Sequence, residues 1–166
     1  NMLITNGNLV TWDDENRILN GWALRVEGGR ITHVEPQNKL FELFPNEETL
    51  DALGQLIMPG NICAHTHFYG AYSRGMAIPG TAPSGFVEIL EKLWWPLDKA
   101  LDRKSVAASA AVCIIDAIRH GTTTLFDHHA SPAFIEGSLD EIYTIVEKSG
   151  IRASLCYEVT DRNGLD

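Results

Sequence analysis

The residues of this chain best suited to chemistry are His65 and His67, which close an apolar run that begins Leu56-Ile57-Met58-Pro59-Gly60. Side chains on a strand alternate faces, so two histidines separated by one residue project together. Neutral imidazole suits zinc, iron, nickel and copper, and a pair aimed at one point is the beginning of a metal site. It is only a beginning. A catalytic zinc site takes at least three protein ligands plus an open position, so two nitrogens locate a metal without closing its site or supplying a base. The competing reading is two polar residues at a strand end.

A second group lies downstream in Asp127-His128-His129. Adjacent strand residues point to opposite faces, so at most one of His128 and His129 faces a pocket. Sequence does not choose between them. Asp127 fits either a substrate contact or a partner that orients a metal-bound histidine. Cys63 falls, by alternation, on the side of the histidine pair, with no neighbouring base to make it a nucleophile. Phe68 and Tyr69 follow the pair and are placed to wall a pocket. Arg74 offers a planar fork of donors for a carbonyl, carboxylate or ring nitrogen, or is a solvated loop charge. Of Trp94 and Trp95, one fits packing of a helix and the other, Trp95, a pocket wall.

Two kinds of patterning position these residues. Residues 2 to 58 form short strands joined by tight turns. Trp22 to Glu27 and Arg30 to Glu35 alternate around Gly28-Gly29, a hairpin signal. Further strands are expected at 3–5, 9–12 and 49–57, with a short helix over 38–44 ended by Pro45. From residue 59 on, strands alternate with helices. Ile62 to His65 is a strand, and a Gly- and Pro-rich loop runs from Phe68 to Gly85. A helix follows over 86–101, kinked at Pro96. A second helix spans 103–120, capped by Asp102 and stopped by Gly121, with Val106, Ala110, Cys113, Ile114, Ala117 and Ile118 as its apolar face. Strands at 122–127 and 151–159 flank a helix at 139–149. Such alternation implies parallel βαβ units with right-handed crossovers.

The chain has 166 residues, 45% of them hydrophobic, and a net charge of -9. Its charge is acidic and scattered, with no basic patch interleaved with aromatics, so nucleic acid is not an expected partner. No apolar run approaches the roughly 20 residues that span a bilayer, so no membrane partner is expected either. Three widely spaced cysteines in apolar contexts suit reduced core residues of a cytoplasmic protein. A complete βα barrel takes roughly 250 residues, and the 107 residues from Gly60 to Asp166 hold three strands. The chain is therefore expected to be a fragment.

The Asp51-Ala52-x-Gly54 turn, the Pro59-Gly60 to His65-x-His67 element, Arg74-Gly75, Trp95-Pro96-Leu97 and Gly121-Thr122-Thr123-Thr124 together resemble the metal-dependent amidohydrolase superfamily. The likeness is to its branch of chlorohydrolases and deaminases. The stretches 65–75 and 125–132 look most like an aminohydrolase of that branch. The resemblance implies an α/β protein. Residues 1–58 would be a small N-terminal β-sandwich segment, and residues 59–166 the first βα units of an incomplete TIM-like (β/α)8 barrel. It implies a divalent metal on His65 and His67, zinc first and iron as the alternative. Substrate contacts would fall among Phe68, Tyr69, Arg74, Trp95, His128 and His129. The family's remaining ligands, its proton-shuttling Glu and its late Asp fall beyond residue 166, so the chain alone is expected to be inactive. The implied reaction of the whole protein is hydrolysis of a non-peptide C–N bond, most readily deamination of a small N-heterocyclic substrate, by a protein that is often a homodimer. The alternatives are a chlorohydrolase or cyclic-amide hydrolase of the same superfamily, or a truncated, non-catalytic interaction module.

Overall fold

The computed structural model of the chain describes residues 1–164 and shows an α/β protein of two compact units, Asn1–Pro59 and the chain from Gly60 on. In the first unit, β1 (Met2–Thr5), β4 (Trp22–Glu27), β5 (Arg30–Pro36) and β6 (Glu48–Asp51) form a mixed sheet in the order β5-β4-β1-β6. A second sheet has the order β3-β2-β7, from β2 (Asn8–Val10), β3 (Ile18–Asn20) and β7 (Leu56–Ile57). The hairpin expected at Gly28-Gly29 joins β4 to β5, and both glycines have positive φ, which their lack of Cβ permits. The helix α1 (Gln37–Leu43) stops before Pro45, and its Leu40 is fully buried with Leu3 and Ala23. Two details differ from the expectation. The strand expected over 9–12 ends at Val10, with Trp12 at φ 47°, and β3 carried too little alternation to be read.

In the second unit, β8 (Asn61–Thr66), β9 (Thr122–His129) and β10 (Arg152–Tyr157) pair in parallel in the order β10-β9-β8. The helix α4 (Arg103–Arg119) follows a capping box, in which Asp102 accepts from the Ser105 amide while Ser105 accepts in return. Gly121 and Gly150, both at φ 73°, end α4 and α5 (Ser138–Ser149) in the left-handed conformation. The two helices close one face of the sheet. Val106, Ala110 and Ile114 of α4 and Ile142 and Val146 of α5 bury Leu125 of β9. Ile118, expected on that face of α4, is instead 49% exposed.

The segment before α4 is more ordered than its glycine content implied. A 3-10 helix (Phe68–Ser73) starts directly after His67, where a loop was expected. The helix over 86–99 is broken into α2 (Phe86–Ile89), a π turn (Leu90–Trp94) and α3 (Trp95–Lys99), so the irregularity lies just before Pro96. Gly60 has a plain steric reason. A Cβ there would lie 2.2 Å from Thr123, so Gly60 is pressed against the Gly121-Thr124 element and only glycine fits.

Candidate metal and substrate site

The register of β8 on β9 decides where the histidines point. Cys63 lies opposite Leu125 and Thr66 opposite Asp127, so Ala64 and His65 together face the single residue Phe126. This is a β-bulge, and it resets the alternation. Cys63 and Thr66 both turn toward α4, where Cys63 packs against the buried cluster. Cys63 therefore does not share a face with the histidine pair, as simple alternation implied. His65 and His67, on either side of Thr66, project from the opposite face of the sheet.

There the two rings meet, with His65 Nε2 3.1 Å from His67 Nε2. His67 Nδ1 lies 2.7 Å from the backbone carbonyl of His128. A carbonyl only accepts, so Nδ1 carries the proton and Nε2 keeps its lone pair, directed at His65. A metal-ligating histidine has the same arrangement, with the far nitrogen held by a carbonyl and the near one free to bind. Two nitrogens at about 2.05 Å from a tetrahedral zinc stand about 3.3 Å apart, close to the separation seen. His67 is held below its ordinary pKa, chiefly by burial and further by His65 and His128, which keeps the ring neutral as a ligand must be. The pair thus fits two positions of a metal's coordination shell. Among the described residues no group of three or more His, Cys, Asp or Glu is placed to hold a metal ion.

The pair opens into a cavity of about 760 Å³. Trp94, Trp95, Phe86 and Leu90 supply apolar walls, and Tyr69, Asp98, His128, Glu158 and Arg162 the polar ones. The His67 ring lies 5.4–5.8 Å from those of His128, Trp94 and Tyr69, so it is packed as well as hydrogen-bonded. Burial, reinforced by Asp98, pushes the Tyr69 hydroxyl up to about 12, so it stays protonated. Asp98 is 1% exposed and pairs with Arg162 at 2.5 Å, while Arg162 also bonds Glu158 and lies 5.6 Å above the Trp95 ring. Burial raises the Asp98 carboxyl although Arg162 opposes it.

A sequence profile described as the amidohydrolase family matches residues 56–166, two-thirds of the chain. The chain belongs to the amidohydrolase family. It is 28% identical over 162 residues to a 5-methylthioadenosine/S-adenosylhomocysteine deaminase of Acetivibrio thermocellus, a match covering 94% of this chain and 34% of that protein. An atrazine chlorohydrolase of Arthrobacter aurescens, solved with zinc, superposes with a TM-score of 0.75 at 22% identity over 94% of this chain and 35% of its own. The guanine deaminase of E. coli gives a TM-score of 0.78 at 20% identity over 99% of this chain and 39% of its own. The chain spans about a third of the length of the relatives it matches.

Within this amidohydrolase chain the residues singled out from sequence divide cleanly. His65, His67, Tyr69, Trp95 and His128 line the cavity. Phe68 does not, because the 3-10 helix turns it into the core at 0% exposure. His129 does not either. It sits on the helix-covered face at 1% exposure, its Nε2 2.9 Å from the Ser131 hydroxyl, and burial lowers it to about 4. Arg74 leaves the cavity altogether and pairs with Asp116 of α4 at 2.7 Å. Sequence reading passed over Asp98, Glu158 and Arg162. The available signal was an acid next to Trp95-Pro96-Leu97, and an acid and a base four apart just past the end of a strand.

Proposed function

We propose that the intact protein is a zinc-dependent aminohydrolase acting on a small N-heterocyclic substrate. His65 and His67 would supply the first two metal ligands, and the others, with the proton-shuttling carboxylate, would come from outside residues 1–166. The observation that carries this reading is the His65–His67 geometry, with facing Nε2 atoms and the Nδ1–H of His67 fixed on the His128 carbonyl. On this reading the first unit is a β-sandwich segment. The second opens a (β/α)8 barrel, whose active sites lie at the C-terminal ends of the strands, where this pair stands.

Zinc, when bound there, makes a water acidic enough to attack at neutral pH. The chain's own residues do the rest of what this segment can do. His67, neutral and tethered at Nδ1, offers its lone pair in one direction. Trp95 and Phe86 give a flat ring apolar surface on which to lie and keep bulk water from it. The Asp98–Arg162–Glu158 cluster is placed to meet polar edges of the ring away from the reacting carbon. The names of the relatives, deaminases of adenosine derivatives and of guanine, support ammonia as the leaving group.

The test is zinc content and ammonia release by the intact protein on adenosine-type and guanine substrates. One zinc per protomer and turnover are expected. Both should be lost in His65→Ala and in His67→Ala, and residues 1–166 alone should show no turnover. Activity that persists in either variant would overturn the reading, and chloride release without ammonia would replace the aminohydrolase with a chlorohydrolase.

A further inference from the structure

Asp127 is buried at 1% exposure, and only one of its oxygens is used. Oδ1 accepts the backbone N–H of Phe68 at 2.7 Å, while Oδ2 has no partner among the described residues. A buried carboxyl half-satisfied in this way costs stability, so what it holds matters. It holds the residue that follows His67. The next residue of β9, His128, gives its carbonyl to the ring of the same His67. The end of β9 therefore grips the exit of β8 twice, once at the backbone and once at the imidazole. The grip falls where local structure is least able to help. The bulge at 64–65 has reset the strand, and the His67 side chain makes no capping hydrogen bond to the 3-10 helix it precedes. The Asp127 carboxyl takes up the amide of Phe68, the first residue of the helix, which has no acceptor within the helix itself.

We propose that Asp127 is a positioning residue for the His65–His67 pair. By fixing the Phe68 amide it sets the path of the chain out of β8, so that His67 keeps Nδ1–H on the His128 carbonyl and Nε2 facing His65. The proposal rests on the metal reading given above. Asp127 does not line the cavity and hydrogen-bonds none of the histidines, so it acts through the backbone and by accepting, not by its charge.

The intact protein carrying Asp127→Asn or Asp127→Ala tests this. Three readouts are needed: thermal unfolding, zinc affinity against a competing chelator, and ring 1H–15N spectra of the metal-free protein. The asparagine oxygen still accepts from Phe68, so Asp127→Asn should bind zinc within a few-fold of wild type and keep the Nδ1–H form of His67. Asp127→Ala, unfolding cooperatively, should bind about 10- to 100-fold more weakly and show a mixture of His67 tautomers. A folded Asp127→Ala with wild-type affinity and tautomer overturns the proposal. So does a folded Asp127→Asn that loses tenfold or more, and this arm decides alone should the alanine variant fail to fold. If wild type takes no zinc at this pair, the metal reading fails instead, and the metal-free tautomers still decide the role of Asp127.

Discussion

On one face of the three-stranded sheet, Leu125 is closed beneath α4 and α5, and Ile114 and Ile142 beside it are 1% exposed. On the other face, Ile62 and Phe126 stand 65% and 44% exposed, beside the histidines that could bind a metal. The same strands make both faces, and residues one apart in sequence meet opposite fates. His129 is buried and held neutral, whereas His128 looks into the cavity. One face is finished by packing within the chain. The other carries most of the chemical groups and is the one still open, the condition under which a site can accept a ligand.

The largest expected effect follows from that contrast. Ile114→Ala should lower unfolding stability by about 2–5 kcal/mol, because it empties a fully packed position. Ile62→Ala in residues 1–166 should change it by less than about 0.5 kcal/mol. Urea unfolding of the two variants measures the difference. Repeating Ile62→Ala in the intact protein sharpens it, since a closed (β/α)8 barrel would bury Ile62 and bring its cost toward that of Ile114. Equal costs in the short chain would break the comparison.

How far sequence reaches into the two faces is uneven. The covered face follows from helical periodicity. Val106, Ala110 and Ile114 recur at spacing four, and the caps Asp102, Gly121 and Gly150 are local chemistry. The histidine pair was equally legible, because the interval from His65 to His67 survives the bulge. Cys63 was not, because it lies across the bulge, and a single inserted residue inverts a period-two pattern. Phe68 escaped because its burial depends on a 3-10 helix that no hydrophobic period announces. The Asp98–Arg162 pair is formed by residues 64 apart, on different elements, and nothing local connects them.

A middle-sized effect concerns the covered face, where two buried groups oppose each other in pH. Burial lowers His129 from its ordinary 6.5 to about 4, so the unfolded chain binds a proton that the fold refuses, and stability is lost as pH falls from about 6.5 toward 4. Burial raises Asp127 from 3.8 to about 7 against the Phe68 amide, so the fold keeps a proton that the unfolded chain releases. Its contribution is present at low pH and lost as pH rises through about 7. Between about 4 and 6.5 the two slopes cancel in part. Asp127→Asn removes one of them, and its urea midpoint should rise with pH across that window more steeply than that of wild type. Parallel profiles would show that Asp127 titrates in the fold as it does in the unfolded chain.

The smallest effect belongs to Arg74, which sequence offered as either a substrate anchor or a solvated loop charge and structure places outside the cavity. Its guanidinium spans from the segment after the 3-10 helix to Asp116 on α4, with both side chains well exposed at 68% and 40%. Solvent-exposed pairs of this kind gain little, since water screens the charges and two long side chains lose freedom to meet. Arg74→Ala should leave the urea midpoint where it is and, in the intact protein, leave KM within about twofold. An anchor for substrate would behave otherwise. Losing a bidentate guanidinium contact costs about a factor of ten or more in binding, so a tenfold rise in KM with unchanged stability would return Arg74 to the site. Because Arg74 stands outside the cavity, paired with Asp116, such a result would also require the segment carrying Arg74 to move when substrate binds.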